Sequence, residues 1–174
     1  TERSSVFRNA SDLFFSEYSE GSGNNKYLEI YNGTGQSVDL SNYLIRYSQN
    51  GAQAWESNEL GLSGALSAGD VYVVAHSSAN ASILAEADTV ESAISAFNGD
   101  DVRGLFKIAN NDTSLLDIIG TQTGGDPGSG WDVAGITNAT KDHTLVRKSS
   151  VSTGNTNWST SAGTTTDNSE WTVY

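Results

Sequence analysis

A chain of 174 residues with neither cysteine nor methionine is long enough for one domain around a single core, and it excludes disulfide frameworks, thiolate zinc sites and cysteine nucleophiles together. Its net charge of −12, from 21 acidic against 9 basic residues, repels polyanions, so direct nucleic-acid binding by this domain is not expected. No apolar run nears the ~18 residues of a membrane span, and a start at Thr1 with no Met reads as a piece processed or cut from a longer chain.

Strand signals dominate the chain order. Leu13 to Tyr18 is an apolar-aromatic run that predicts a first strand, stopped by Glu20-Gly21-Ser22-Gly23-Asn24-Asn25. Lys26 to Tyr31 alternates, with Leu28 and Ile30 on one face and Tyr27, Glu29 and Tyr31 on the other. Asn32-Gly33-Thr34-Gly35 reads as a tight turn, because Asn and Gly tolerate positive φ. Val38 to Leu40 and Tyr43 to Tyr47 follow as strands, and Asp70 to His76 is the most strand-like segment of all.

From Ser78 to Ala96 the composition changes to Ala, Ser and Glu, with Ile83, Leu84, Ala87, Val90 and Ile94 near helical spacing. One or two short helices are expected there, inserted between strands. Val102 to Ile108 and Leu115 to Ile119 predict a hairpin turning at Asn110-Asn111-Asp112. Gly124 to Gly130 is a loop holding the sole proline, Pro127, and Thr144 to Lys148 is a late strand. The stretch from Ser149 to Asn168 is polar and low in apolar content, and Trp158 and Trp171 are expected to anchor that tail. Seven or eight short strands with no internal repeat describe an all-β sandwich with a short helical insertion around residues 78–96.

Catalytic signals are poor. His76 and His143 stand far apart without a signature around them, and no nucleophile elbow or phosphate-cradling loop is present. His76 is read as a strand-end residue. Zinc is disfavoured by two His and no Cys, whereas calcium takes carboxylates and carbonyls from loops. Asp100, Asp101 and Asp126 are the candidate calcium ligands, against a plainer and preferred reading as solvated acidic turns. No metal or other cofactor is required for folding. Six Asn-x-Ser/Thr sequons, at Asn9, Asn32, Asn80, Asn111, Asn138 and Asn157, are read as composition. Trp55, Trp131 and Trp158 are read as core or tail anchors before glycan or peptide contacts. Two charges lie inside apolar strands, Glu29 and Arg147, and an unpaired buried charge is expensive. Arg147 is therefore expected to find a carboxylate across the sheet, with Glu29 as first choice, in a structural ion pair.

The segment from Asp12 to Gly35, with Asp12-Leu13-Phe14-Phe15-Ser16-Glu17-Tyr18, Glu20-Gly21-Ser22 and Leu28-Glu29-Ile30-Tyr31-Asn32-Gly33-Thr34-Gly35, resembles the opening of bacterial lamin tail domains. Val38 to Tyr43, Leu66 to Ala75, Phe97 to Asp101, Asp117 to Gly120, Asp126-Pro127-Gly128 and Thr144 to Lys148 resemble later family segments in the family's order. The resemblance covers residues 12–174, after an N-terminal extension of 1–11. It departs at Val102-Arg103-Gly104-Leu105, where the family strand is more apolar, and again from Trp131 to Asp142.

The resemblance implies an immunoglobulin-like β-sandwich without catalytic residues. It also implies a secreted or cell-surface bacterial setting, beside nuclease or other hydrolase domains. The expected function is that of an accessory module of a larger secreted protein, such as an extracellular nuclease. Its partners would be neighbouring domains of the same polypeptide and a protein or glycan ligand. The alternative is a calcium-stabilised adhesin or matrix module; a free-standing hydrolase is the least favoured reading.

Overall fold

Residues 9–52 and 54–174 are described by the computed structural model; most of the expected N-terminal extension lies outside them. The run predicted at Leu13 to Tyr18 forms β1 (Phe14–Glu20), and the alternating segment forms β2 (Lys26–Tyr31). Leu28 and Ile30 point inward and are fully buried, as the period-two pattern requires. After the Asn32 turn come β3 (Val38–Asp39), β4 (Tyr43–Ser48), β5 (Glu59–Gly61), β6 (Ala65–Leu66) and β7 (Val71–Ala75).

The expected helical insertion is two single turns, α1 (Ala81–Leu84) and α2 (Ser92–Ser95), separated by a short strand, β8 (Thr89–Val90). That strand was not legible in the sequence. It runs parallel to β7, with Val74 opposite Thr89, and α1 makes the crossover that a parallel pair needs. The hairpin is β9 (Val102–Ala109) and β10 (Asp112–Ile119). Asn110 and Asn111 both take positive φ, 53° and 63°, the conformation of a two-residue turn matched to strand twist.

The tail carries regular elements of its own. β11 (Thr144–Arg147) is followed by α3 (Trp158–Ala162) and β12 (Trp171–Val173). Asn157 caps α3, accepting from the Thr160 N–H at 3.3 Å. Five other sequon asparagines also have local backbone work. Asn80 caps α1, Asn9, Asn111 and Asn138 hold left-handed turns, and Asn32 is fully buried, donating to the carbonyls of Gln36, Leu66 and Ser67.

A six-stranded sheet in the order β12-β11-β1-β2-β7-β8 faces a four-stranded sheet in the order β10-β9-β4-β5, with β3 and β6 as a separate ribbon. This is the immunoglobulin-like sandwich. Leu28, Ile30 and Val74 from one sheet and Ile45, Leu105 and Ile118 from the other share the core. Tyr18 enters it as well, stacked on Phe97 at 4.5 Å, with its hydroxyl donating to the Thr140 carbonyl at 2.9 Å. Burial pushes that phenol well above its ordinary range. Both tail tryptophans are buried, their rings 6.3 Å apart. Trp171 is therefore core, and Trp171→Ala should lower stability by about 3–5 kcal/mol in urea unfolding; a loss below about 1 kcal/mol would show the tail to be dispensable.

Candidate functional site

Two bulges set up the most polar point of the interior. β1 shifts register against β2 between Phe15 and Glu17, and β10 shifts against β9 between Leu115 and Asp117. A bulge turns one residue out of the ladder and re-aims its neighbours. Here the Phe15 N–H and the Asp117 carboxylate turn toward each other across the two sheets and meet at 2.9 Å. Gly154 lets a third segment approach: a Cβ there would stand 2.8 Å from Asp117 Cβ. The neighbouring Asn155 N–H donates to Asp117 Oδ1 at 2.8 Å.

Arg147 completes the cluster. Its Nη2 lies 2.5 Å from Asp117 Oδ2, with both side chains 0% exposed. Nη1 donates to Ser161 Oγ at 2.9 Å and to Glu170 Oε2 at 3.1 Å. The guanidinium carbon sits 4.1 Å from the Trp171 ring centre, and the Trp171 indole N–H donates to the same Ser161 hydroxyl at 2.9 Å. Among the described residues the buried Nε has no acceptor, so the cation–π face of Trp171 is part of what offsets its desolvation. Burial pushes the Asp117 carboxyl up, and Arg147 followed by the Asn155 and Phe15 N–H groups opposes that rise. Strands from both sheets, α3 and the tail are thus tied through one ion pair. The Arg147–Asp117 pair is sealed, with Glu170 at the rim, so its chemistry is structural.

Arg147 does find carboxylates, but Glu29 is not among them. Leu145 is buried opposite Tyr18, and Arg147, two residues on, shares that inward face. Glu29 pairs in register with Glu17 and Val73 on the opposite face of the same sheet. Its Oε1 accepts from Ser16 Oγ at 2.8 Å. The sheet itself therefore stands between Glu29 and Arg147. Asp117, Ser161 and Glu170 were not identified from sequence. For Asp117 the signal was a charge inside an apolar run, the same signal that marked Arg147.

The candidate metal ligands occupy one end of the sandwich. Asp100 and Asp101 are both buried, at 8% and 7% exposure, while Asp126 is exposed and caps its own turn by accepting from the Gly128 N–H at 2.7 Å. Asp101 accepts from the Asn50 N–H at 3.1 Å. With its amide nitrogen facing the carboxylates, Asn98 donates to Asp101 at 3.0 Å and to Asp100. Burial, then the charge of Asp101, pushes the Asp100 carboxyl up, and Asp126 adds to this. Among the described residues no three His, Asp or Glu side chains gather closely enough to hold a metal ion.

The histidines form no catalytic constellation. His76 follows β7, as expected, and its Nδ1 accepts from the Ser78 N–H at 3.1 Å. His143 Nδ1 bonds the Lys141 carbonyl at 2.6 Å, which places the proton on that nitrogen.

Fold and site together define an immunoglobulin-like sandwich whose layers are stapled by the fully buried Arg147–Asp117 pair. The family model of the Lamin Tail Domain matches residues 8–123, and the chain belongs to that family. The family is one of small, non-catalytic immunoglobulin-like domains. No curated protein and no solved structure matches the chain. The matched segment ends after β10, yet β11 and β12 beyond it are integral strands of the six-stranded sheet.

Two outcomes are expected from the charges described. Arg147→Ala should cost about 3–5 kcal/mol in denaturant unfolding, and Asp117→Ala at least as much, since it also orphans the Phe15 and Asn155 N–H groups. Wild-type stability in either variant would refute the staple. The folded state raises the pKa of Asp100, so its ionised form costs stability above that pKa and the cost is relieved as pH falls through it. Asp100→Asn in chelator should therefore raise Tm at neutral pH, with the gain shrinking on acidification; a lowered Tm at neutral pH contradicts this.

Proposed function

We propose that this chain is a non-catalytic interaction module of a larger secreted bacterial protein, such as an extracellular nuclease, in which it tethers or orients a neighbouring domain or binds a partner. The family match carries the reading. Three further features support it. The histidines bond their own loops, and the sealed Arg147–Asp117 pair has no access to substrate. A net charge of −12 makes the module a poor grip for nucleic acid, so a catalytic neighbour would have to supply that contact. A sandwich of this kind also offers variable loops at its ends without disturbing the core. The purified chain should show no turnover of DNA, RNA or phosphomonoester above a buffer control, with and without divalent cations; a rate that saturates with substrate overturns the reading.

A second reading, a calcium-stabilised adhesin or matrix module, is favoured by the adjacent buried Asp100 and Asp101. It is weakened by the spread of the carboxylates and by the neighbouring Arg103, whose fixed positive charge already acts on Asp101. Calcium at about 100 times its Kd would add ~2.7 kcal/mol of stability. Melting curves that coincide in calcium and in chelator remove this reading, and a calcium-dependent rise lost in Asp100→Asn supports it.

A further inference from the structure

The β9 segment Val102-Arg103-Gly104-Leu105 carries a second buried arginine. Arg103 is 1% exposed on β9. Its Nε donates to the Ile94 carbonyl at 2.5 Å and its Nη1 to the Val102 carbonyl at 2.9 Å. A guanidinium has five N–H donors, and among the described residues Nη2 donates to none and no carboxylate forms an ion pair with Arg103. The guanidinium carbon lies 5.1 Å from the Tyr47 ring centre and 5.2 Å from that of Phe97, so two aromatic rings hold it in place. Burial pulls its pKa down to about 10, still far above neutrality, and the group stays charged.

Arg103 has no direct ion-pair partner among the described residues, although the nearby Asp101 charge acts on it, and a buried guanidinium answered only in part carries a desolvation cost that a bound anion would reduce. Arg103 lines a cavity of about 450 Å³ with Tyr47, Gln49, Asn50, Asn98 and Asp101. The side-chain amides of the exposed Gln49 and Asn50 offer further donors and acceptors. Asp101 contributes one negative charge to the same cavity, which penalises a doubly charged anion more than a singly charged one.

We infer that this cavity is a binding site for a single carboxylate group, presented by a peptide terminus or an acidic sugar, with Arg103 as its anchor. The inference rests on the reading of the chain as an interaction module and names the chemistry that module recognises. Arg103 supplies a charge-assisted hydrogen bond from a pre-oriented, desolvated donor. The amides give direction to the rest of the ligand.

The test is titration of the whole chain with N-acetylglycine, as the probe of a peptide terminus, with glucuronate, as the probe of an acidic sugar, and with inorganic phosphate. Binding is read by the side-chain N–H resonances of Arg103 and by calorimetry. At least one carboxylate probe should bind saturably and shift the Arg103 Nε–H resonance, with phosphate weaker. The tighter of the two carboxylates identifies the source. Arg103→Lys keeps the charge but not the planar fork and should weaken binding about tenfold or more. Arg103→Met should abolish binding, and urea unfolding of both variants checks that the fold survives. No saturable shift with either carboxylate, equal affinity in Arg103→Lys and wild type, or phosphate bound as tightly as carboxylate would overturn the inference. These results leave the interaction-module reading standing, because that reading falls only on catalytic turnover.

Discussion

The buried pair of Arg147 and Asp117 is the constraint on which the rest of the sandwich depends. Two sheets of apolar side chains can slide over one another at little cost, because apolar contact is non-directional. An ion pair with both side chains 0% exposed cannot slide, since separation leaves two uncompensated charges in the interior. The Asp117 carboxylate also accepts the Phe15 and Asn155 N–H groups, so it fixes the relative position of β1, β10 and the loop before α3. Arg147 extends the same constraint to Ser161 and Glu170. Register, sheet packing and tail docking therefore follow from one polar point.

That arrangement explains what the sequence shows and what it hides. The alternation of Lys26 to Tyr31 places Leu28 and Ile30 in the core and Glu29 on the other face, and β2 has those bounds. The same parity argument, applied to Arg147, excludes Glu29 as its partner, because Leu145 and Arg147 share the inward face. The partner lies across the sandwich, where a bulge interrupts parity between Leu115 and Asp117. A bulge has no composition signature in an all-apolar run, so the inward turn of Asp117 is set by tertiary structure. Arg147 was legible as a buried charge; its partner was not.

The tail shows a different limit. Ser149 to Asn168 is low in apolar content, and neither α3, five residues long, nor the three-residue β12 beyond it has room for a period to be visible. Their order comes from contacts made at a distance. Trp171 closes over Arg147 and bonds Ser161, while Glu170 receives Asn155 and Arg147. The tryptophans were readable as anchors because a lone aromatic in polar sequence must bury its ring somewhere. What they anchor to could be found only in three dimensions.

The molecule thus holds two buried arginines under opposite conditions. Arg147 is answered by two carboxylates from its own chain, and among the described residues only its Nε is left without an acceptor. Arg103 is held as firmly, between Tyr47 and Phe97, but its anionic neighbour Asp101 already serves the Asn50 N–H and forms no ion pair with it. Both desolvation costs are borne by the same fold. In the first case the chain recovers the cost internally, as sheet-to-sheet specificity. In the second the recovery is open to a ligand at the wall of a cavity. A held guanidinium at a cavity wall, with no direct ion-pair partner among the described residues, is where an interaction module of this kind would take its ligand.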